Sequence, residues 1–276
     1  MHPELFQRFS ALAYEKAGIA IRPGKEALVS SRVAKRLRAL ALSDAEEYLD
    51  YLEQDRSGDE LLRFLDVIST HFTSFFREPD HFELLREELE ALVARGQRRI
   101  RLWSAACSSG EEPYTMAMVA LAVPGIEQCD LKILATDIAL ETLQQAALGR
   151  YPAARLDPVP KDLRARWFRR LPGSGDEEGD LHEVRPEVKA LVTFRRLNLV
   201  DPPFPMRGPL DVVFCRNVLI YFDQPTRQRL LSGVEPLVAP GGLLCIGHTE
   251  TLNGIRGRFK LVRPSVFRVR PAETAA

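Results

Sequence analysis

From Pro3 to about Gly96 the apolar positions follow a helical period. Leu5, Phe6, Phe9, Leu12 and Ala13 recur at three and four residues before Gly18, and Leu28, Val29, Val33, Leu37 and Leu40 do so in the next segment. Ser43 with Glu46 and Ser57 with Glu60 read as capping boxes, each a hydroxyl three residues ahead of a carboxylate with an apolar run behind it. After Arg98 the period changes. Residues 100–106, 131–136, 210–215 and 242–247 are apolar runs of strand length, separated by helical patterns such as 113–123 and 223–238. Alternation of this kind predicts a parallel sheet in an α/β domain. Residues 166–198 break the rhythm, because a Gly-rich acidic turn at 172–180 lies between short runs at 167–171, 181–185 and 191–197. An inserted antiparallel β-ribbon is expected there. The chain thus divides into a helical domain over 1–70, a linker and connecting helix over 71–96, and an α/β domain over 97–276 with its β-subdomain at about 166–198.

Composition narrows the classes. With 38 basic and 38 acidic residues among 276, the chain lacks the net charge of a disordered or nucleic-acid-coating protein. No apolar run reaches the roughly 18 residues of a membrane span, and Glu4 and Arg8 stand where a signal peptide is apolar, so a cytoplasmic protein without membrane insertion is expected. Cys107, Cys129, Cys215 and Cys245 form no CxxC pair and read as reduced, buried thiols. None of the five histidines is spaced like a ligand pair, so no metal is expected.

The candidate chemistry lies at strand ends. Trp103-Ser104-Ala105-Ala106-Cys107-Ser108-Ser109-Gly110 is a run of small residues leading into Glu111-Glu112-Pro113-Tyr114, a helix start. About 25 residues on, Ala135-Thr136-Asp137 ends the next strand, where an acid can accept hydrogen bonds from a ribose diol. By spacing alone the pair is equally ordinary loop chemistry. Only Gly110 survives of a dinucleotide phosphate fingerprint, and Glu111 and Glu112 would repel a pyrophosphate. The carboxylates favour a ligand with hydroxyls and a positive centre, S-adenosylmethionine rather than NAD.

Four motifs in order carry a family resemblance. Thr73-Ser74-Phe75-Phe76-Arg77-Glu78, then Ser104 to Tyr114, then Cys215-Arg216-Asn217-Val218-Leu219-Ile220-Tyr221-Phe222, then Gly247-His248-Thr249-Glu250 resemble the CheR family, the chemotaxis receptor glutamate O-methyltransferases. The resemblance implies an all-α N-terminal domain before a Rossmann-like methyltransferase domain with a small antiparallel β-subdomain. It implies S-adenosylmethionine between the domains, leaving as S-adenosylhomocysteine, with contacts from His71, Thr73, Arg77, Glu112, Asp137, Asn198, Leu199, Arg216 and Asn217. His71 departs from the asparagine common there. Arg77 and Tyr221 are assigned to positioning the substrate carboxylate.

The partner implied is the cytoplasmic domain of a chemoreceptor, modified on helix-borne glutamates by a monomeric enzyme, with a receptor C-terminal peptide as a further ligand of the β-subdomain. In residues 16–38 basic side chains dominate, and Lys25, Arg32, Lys35 and Arg36 share one arc of a helix. A basic arc is commonly a solvated face; the resemblance makes it a dock for an acidic helix, through Arg32, Lys35, Arg36 and Arg38. Competing classes are a nicotinamide dehydrogenase, which needs the missing phosphate loop, a nucleic-acid methyltransferase, which needs a basic footprint, and a non-catalytic adaptor.

Overall fold

A computed structural model describes residues 1–69, 72–172 and 180–271. The helical domain contains α1 (Pro3–Ala17), α2 (Glu26–Leu40), α3 (Ala45–Gln54) and α4 (Asp59–Ile68). Their apolar stripes meet on Phe9, Tyr48 and Phe64, with Phe9 and Phe64 ring centroids 5.6 Å apart. Gly18 ends α1 in the left-handed region at φ 67°, and an added Cβ there would strike Val200 and Thr226. The end of α1 is therefore seated directly on the second domain. Both expected capping boxes are displaced. Asp44, not Ser43, caps α3, its carboxylate accepting from Glu46 N at 3.0 Å and Glu47 N at 2.9 Å; an acid at that end also favours the helix dipole. At α4 the residue before the first turn is Gly58, and Glu60 is drawn inward to Arg36 instead of reaching back to Ser57.

A turn and α5 (Asp80–Ala94) lead to the second domain. It runs β1 (Arg99–Ala105), α6 (Glu111–Leu121), β2 (Asp130–Asp137), α7 (Leu140–Leu148), β3 (Arg150–Pro152), α8 (Lys161–Trp167), β4 (Phe168–Arg170), β5 (Leu181–Val184), α9 (Pro186–Lys189), β6 (Val192–Arg196), β7 (Leu210–Cys215), α10 (Gln224–Val234), β8 (Val238–Cys245), β9 (Phe259–Arg263) and β10 (Val266–Val269). The large sheet has the order β6-β2-β1-β7-β8-β10-β9. Its first five strands are parallel, β10 runs antiparallel to β8, and β9 is antiparallel to β10. Side chains alternate across it: Ile100 and Leu102 pack on one face, Trp103 and Ala105 on the other.

The expected ribbon needs correction. Residues 191–197 do not join it, since Val192–Arg196 extends the large sheet parallel to β2. The small sheet is instead β3-β5-β4, with Arg150–Pro152, outside the expected range, as one outer strand. Short mixed runs do not reveal which neighbour they pair with, because pairing is non-local. Most of the acidic turn lies outside the described residues. The four cysteines are free thiols, three of them buried.

Candidate active site

Chain order places β2 and β7 on opposite sides of β1. At such a reversal the loops leaving adjacent strand ends diverge and open a crevice. Here the helical domain roofs it. The lining comes from α1 and α4 through Ala17, Ile68 and Ser69, and from the strand-end turns. Thr73, Arg77, Glu112, Asp137, Asn198, Leu199, Arg216, Asn217 and Tyr221 all line the same crevice. His71 lies outside the described residues. Tyr14 Oη donates to Asp223 at 2.7 Å, and Asn198 Nδ2 donates to the Lys16 carbonyl at 2.8 Å, so the last turn of α1 is tied to two separate loops of the second domain.

The turn after β1 explains its run of small residues. Ala106 and Ser108 have φ of 64° and 49°, and Gly110 has 94°; the left-handed region costs a side-chain-bearing residue on the order of 1 kcal/mol. A Cβ on Gly110 would press on Ala146 and the Tyr151 hydroxyl. The strained path turns backbone N–H groups toward β2, and Ser108 N donates to Asp137 Oδ2 at 2.8 Å while Ala139 N donates to Oδ1 at 3.0 Å. Both amides hold the carboxylate in one orientation. Of the seven non-glycine residues with positive φ among the described residues, three (Ala106, Ser108, Asn217) line the crevice and two more (Phe76, Glu78) flank Arg77, which also lines it. Strain is concentrated where side chains must be aimed.

Arg216, buried at 4% exposure, organises the back wall. It donates to Glu112 Oε2 at 3.0 Å, to Glu78 Oε2 at 2.9 Å and to the Arg77 carbonyl. Asn217 follows at φ 57°, held by Glu250, which accepts from the Asn217 and Gly247 amides at 3.0 and 2.6 Å. Gly247 is required by this approach, since a Cβ there would clash with Asn217. Burial pushes the Glu112 carboxyl up, opposed by Arg216 and by Ser104 Oγ, which donates to it at 2.6 Å. Burial acts the same way on Glu78, but Arg216 and the Asn217 amide outweigh it and hold that carboxyl below its ordinary value. His81 is driven down to about 4 by burial and by the Arg216 charge.

Arg77 differs from Arg216. It is half-buried between Phe76 and Glu78, both left-handed, so its direction is set by backbone on either side. Its guanidinium donates to the Phe72 carbonyl at 2.8 Å and lies 5.3 Å from the Phe72 ring. Among the described residues it has no carboxylate partner, and Glu78, its neighbour in sequence, is engaged by Arg216. Phe72 lines the crevice while 74% exposed. Sequence reasoning overlooked Phe72, Glu78 and Glu250 as site-building residues; the last two stand in the quoted motifs, but only the fold shows what they orient.

The basic arc of α2 is corrected. Arg36 is buried and bidentate to Glu60, at 2.8 Å to each oxygen, with Tyr48 Oη donating to the same carboxylate at 2.8 Å. Arg32 turns to the last carbonyls of α4, Ile68 and Ser69. An Arg among apolar helix neighbours buries its stem and finds an internal acceptor. Lys35 and Arg38 are exposed.

Comparison with known proteins gives two family matches that together span residues 4–267. Residues 4–69 match the CheR methyltransferase all-alpha domain and residues 71–267 the CheR methyltransferase SAM binding domain. The chain is 39% identical to a chemotaxis protein methyltransferase of Escherichia coli over 262 residues, covering 95% of this chain and 89% of that one. It is 40% identical over 247 residues to chemotaxis protein methyltransferase 2 of Pseudomonas aeruginosa, covering 90% and 86%. A chemotaxis protein methyltransferase of Borreliella burgdorferi is 34% identical, with 95% and 92% covered.

Proposed function

The chain belongs to the CheR methyltransferase family, and from that membership we propose that it transfers the methyl group of S-adenosylmethionine to glutamate side chains on chemoreceptor cytoplasmic helices. The observation that carries the reading is the convergence of Asp137, Glu112, Arg216 and Asn217, each from a turn at the carboxyl edge of the sheet, on one crevice with Arg77 beside it. The residues fit the cofactor. Asp137 offers a carboxylate oriented by two backbone amides to a diol, and Glu112 offers negative charge to the cationic end of the ligand. When bound, S-adenosylmethionine supplies a methyl group activated by a sulfonium.

Transfer to a carboxylate turns a cation and an anion into two neutral products. Bulk water stabilises the separated ions more than the transition state, so alignment in a partly dry crevice accelerates the step through orientation and solvent replacement. No strong base is needed, because a glutamate of ordinary pKa about 4.3 is ionised near pH 7. Ile68, Leu199, Val218 and Phe222 supply apolar lining that limits water. Arg77 and Tyr221 orient the incoming carboxylate; a tight clamp would stabilise the ground state, and the absence of an ion pair at Arg77 among the described residues leaves it able to give a directional hydrogen bond.

Docking of the receptor helix falls to the exposed Lys35 and Arg38 of α2, and a receptor tail peptide would pair with an outer strand of the small sheet, tested by titrating that peptide. The decisive assay incubates the protein with methyl-labelled donor and receptor cytoplasmic fragments and measures alkali-labile volatile label. Base-released methanol identifies carboxyl esters. Label that survives alkali would overturn the reading.

A further inference from the structure

Glu78 also faces two imidazoles. His81 is 1% exposed, and its Nε2 lies 2.8 Å from Ser265 Oγ. Assigning that hydroxyl's proton to the Pro264 carbonyl, 2.7 Å away, makes it the acceptor from His81 and puts the proton of the neutral ring on Nε2. Nδ1 is then a bare lone pair, buried and without a hydrogen-bond partner among the described residues. It sits 3.5 Å from Glu78 Oε2. Two acceptors facing each other in the interior are unfavourable unless something positive lies between them.

His248 repeats the pattern. Its ring packs edge-on against His81 with centroids 4.8 Å apart. Its Nε2 is 3.1 Å from Asp80; a carboxylate only accepts, so the proton again lies on Nε2 and the lone pair on Nδ1. One ligand atom from each of Glu78, His81 and His248 falls within 4.8 Å of the others. Tetrahedral coordination at about 2.0–2.1 Å places ligand atoms roughly 3.3 Å apart. The Glu78–His81 pair already approaches that spacing, and His248, with 43% of its side chain exposed, is free to close the remainder.

We propose that Glu78, His81 and His248 form a binding site for a divalent transition-metal ion of the zinc class, with Ser265 and Asp80 as the outer partners that orient the two imidazoles. Arg216 opposes a second cation, but its own charge is already shared between the carboxylates of Glu78 and Glu112, and Asp80 adds a third acid beside His248. Two neutral nitrogens with one carboxylate suit zinc, and a fourth position remains for water. Because Glu78 also holds Arg216 and Asn217, an ion there would stiffen the back wall of the methyl-transfer crevice. The three ligands were invisible as a set in the sequence, since His248 belongs to a distant strand-end turn.

The test is zinc alone titrated into the full chain after chelator treatment, read by calorimetry and by thermal unfolding, with cobalt absorption as the report on ligand type. One ion per chain is expected at about micromolar affinity or tighter, weakened about tenfold or more by His248→Ala, an exposed position, and about tenfold by Asp80→Asn. Cobalt should give a low-coordinate visible spectrum without a thiolate charge-transfer band. No heat and no thermal shift up to about 100-fold above that affinity, unchanged affinity in His248→Ala, or a thiolate band would each overturn the site.

Discussion

Two buried arginines, both clasped by carboxylates, do opposite jobs. Arg36 in the helical domain meets one partner in a bidentate fork, and Tyr48 Oη donates to the same Glu60 carboxylate. The backbone around it is regular helix. Arg216 in the second domain divides its donors among two carboxylates and a carbonyl, leaves Nε without a hydrogen-bond partner among the described residues, and is followed by a left-handed asparagine. The first cluster is closed on itself and braces α2 against α3 and α4. The second is spread along a crevice wall and passes its order to Arg77, Asn217 and Glu112. A buried ion pair by itself says little about role; what separates scaffold from site is whether the surrounding geometry is relaxed and self-satisfied or strained and turned toward a cavity.

That contrast can be broken at either end. Arg36→Ala strands the Glu60 charge and should cost about 3–5 kcal/mol, read as a drop in denaturant midpoint at constant m, while folded protein keeps its cofactor affinity within about twofold. Replacing all three groups together, Arg36→Met with Glu60→Leu and Tyr48→Phe, should recover most of the loss, because no polar group is then orphaned. Loss of cofactor binding in folded Arg36→Ala would erase the distinction. Arg77→Ala should lower turnover about 10²-fold or more with little change in melting temperature; full activity would remove its positioning role. Asp137→Ala should weaken cofactor binding about 10- to 100-fold by calorimetry, through loss of charge-assisted hydrogen bonds. A normal affinity would show that the strand-end acid holds only its own turn.

Smaller effects sharpen the comparison further. Lys35→Glu with Arg38→Glu should raise KM for receptor several-fold at low salt, converging with the unaltered protein at high salt and leaving cofactor affinity intact. Unchanged receptor kinetics would mark the exposed face of α2 as merely solvated. A third cluster lies between the two extremes: Glu183 of the small sheet, bound by Lys189 at 2.9 Å and by the exposed Arg169. Lys189 and Arg169 together lower its carboxyl from 4.5 to about 2. A depressed acid stabilises the fold fully above its ordinary pKa and ceases to as pH falls through the folded value, so this contribution fades between about pH 4.5 and 2. The gap in denaturant midpoint between the protein and Glu183→Gln should therefore narrow from pH 7 to pH 3, and a gap that widened would reverse the sign argued here.

How far the sequence reached depended on the range of the interaction. The helix of α1 and its stop at Gly18, the strands β1, β2 and β7, and the motif residues that meet in the crevice were all readable, because period, turn chemistry and four ordered motifs are local signals. The capping of α3 shifted by one residue because Asp44 outcompetes Ser43 for the same amides. The last run of the expected ribbon went to the large sheet, since a strand's partner is chosen by the whole topology. Arg36 looked like surface because a helical wheel assigns it to the polar arc, and only the approach of α3 and α4 encloses it.

Local patterning alone thus determined the helical period of the first segment, the α/β alternation after it and which residue types sit at the strand ends. Tertiary structure alone decided which charges are enclosed, which carboxylate each arginine meets, and that Glu78, His81 and His248 converge. Pairing across long loops depends on the packing of every element at once, whereas periodicity depends only on backbone geometry within a few residues.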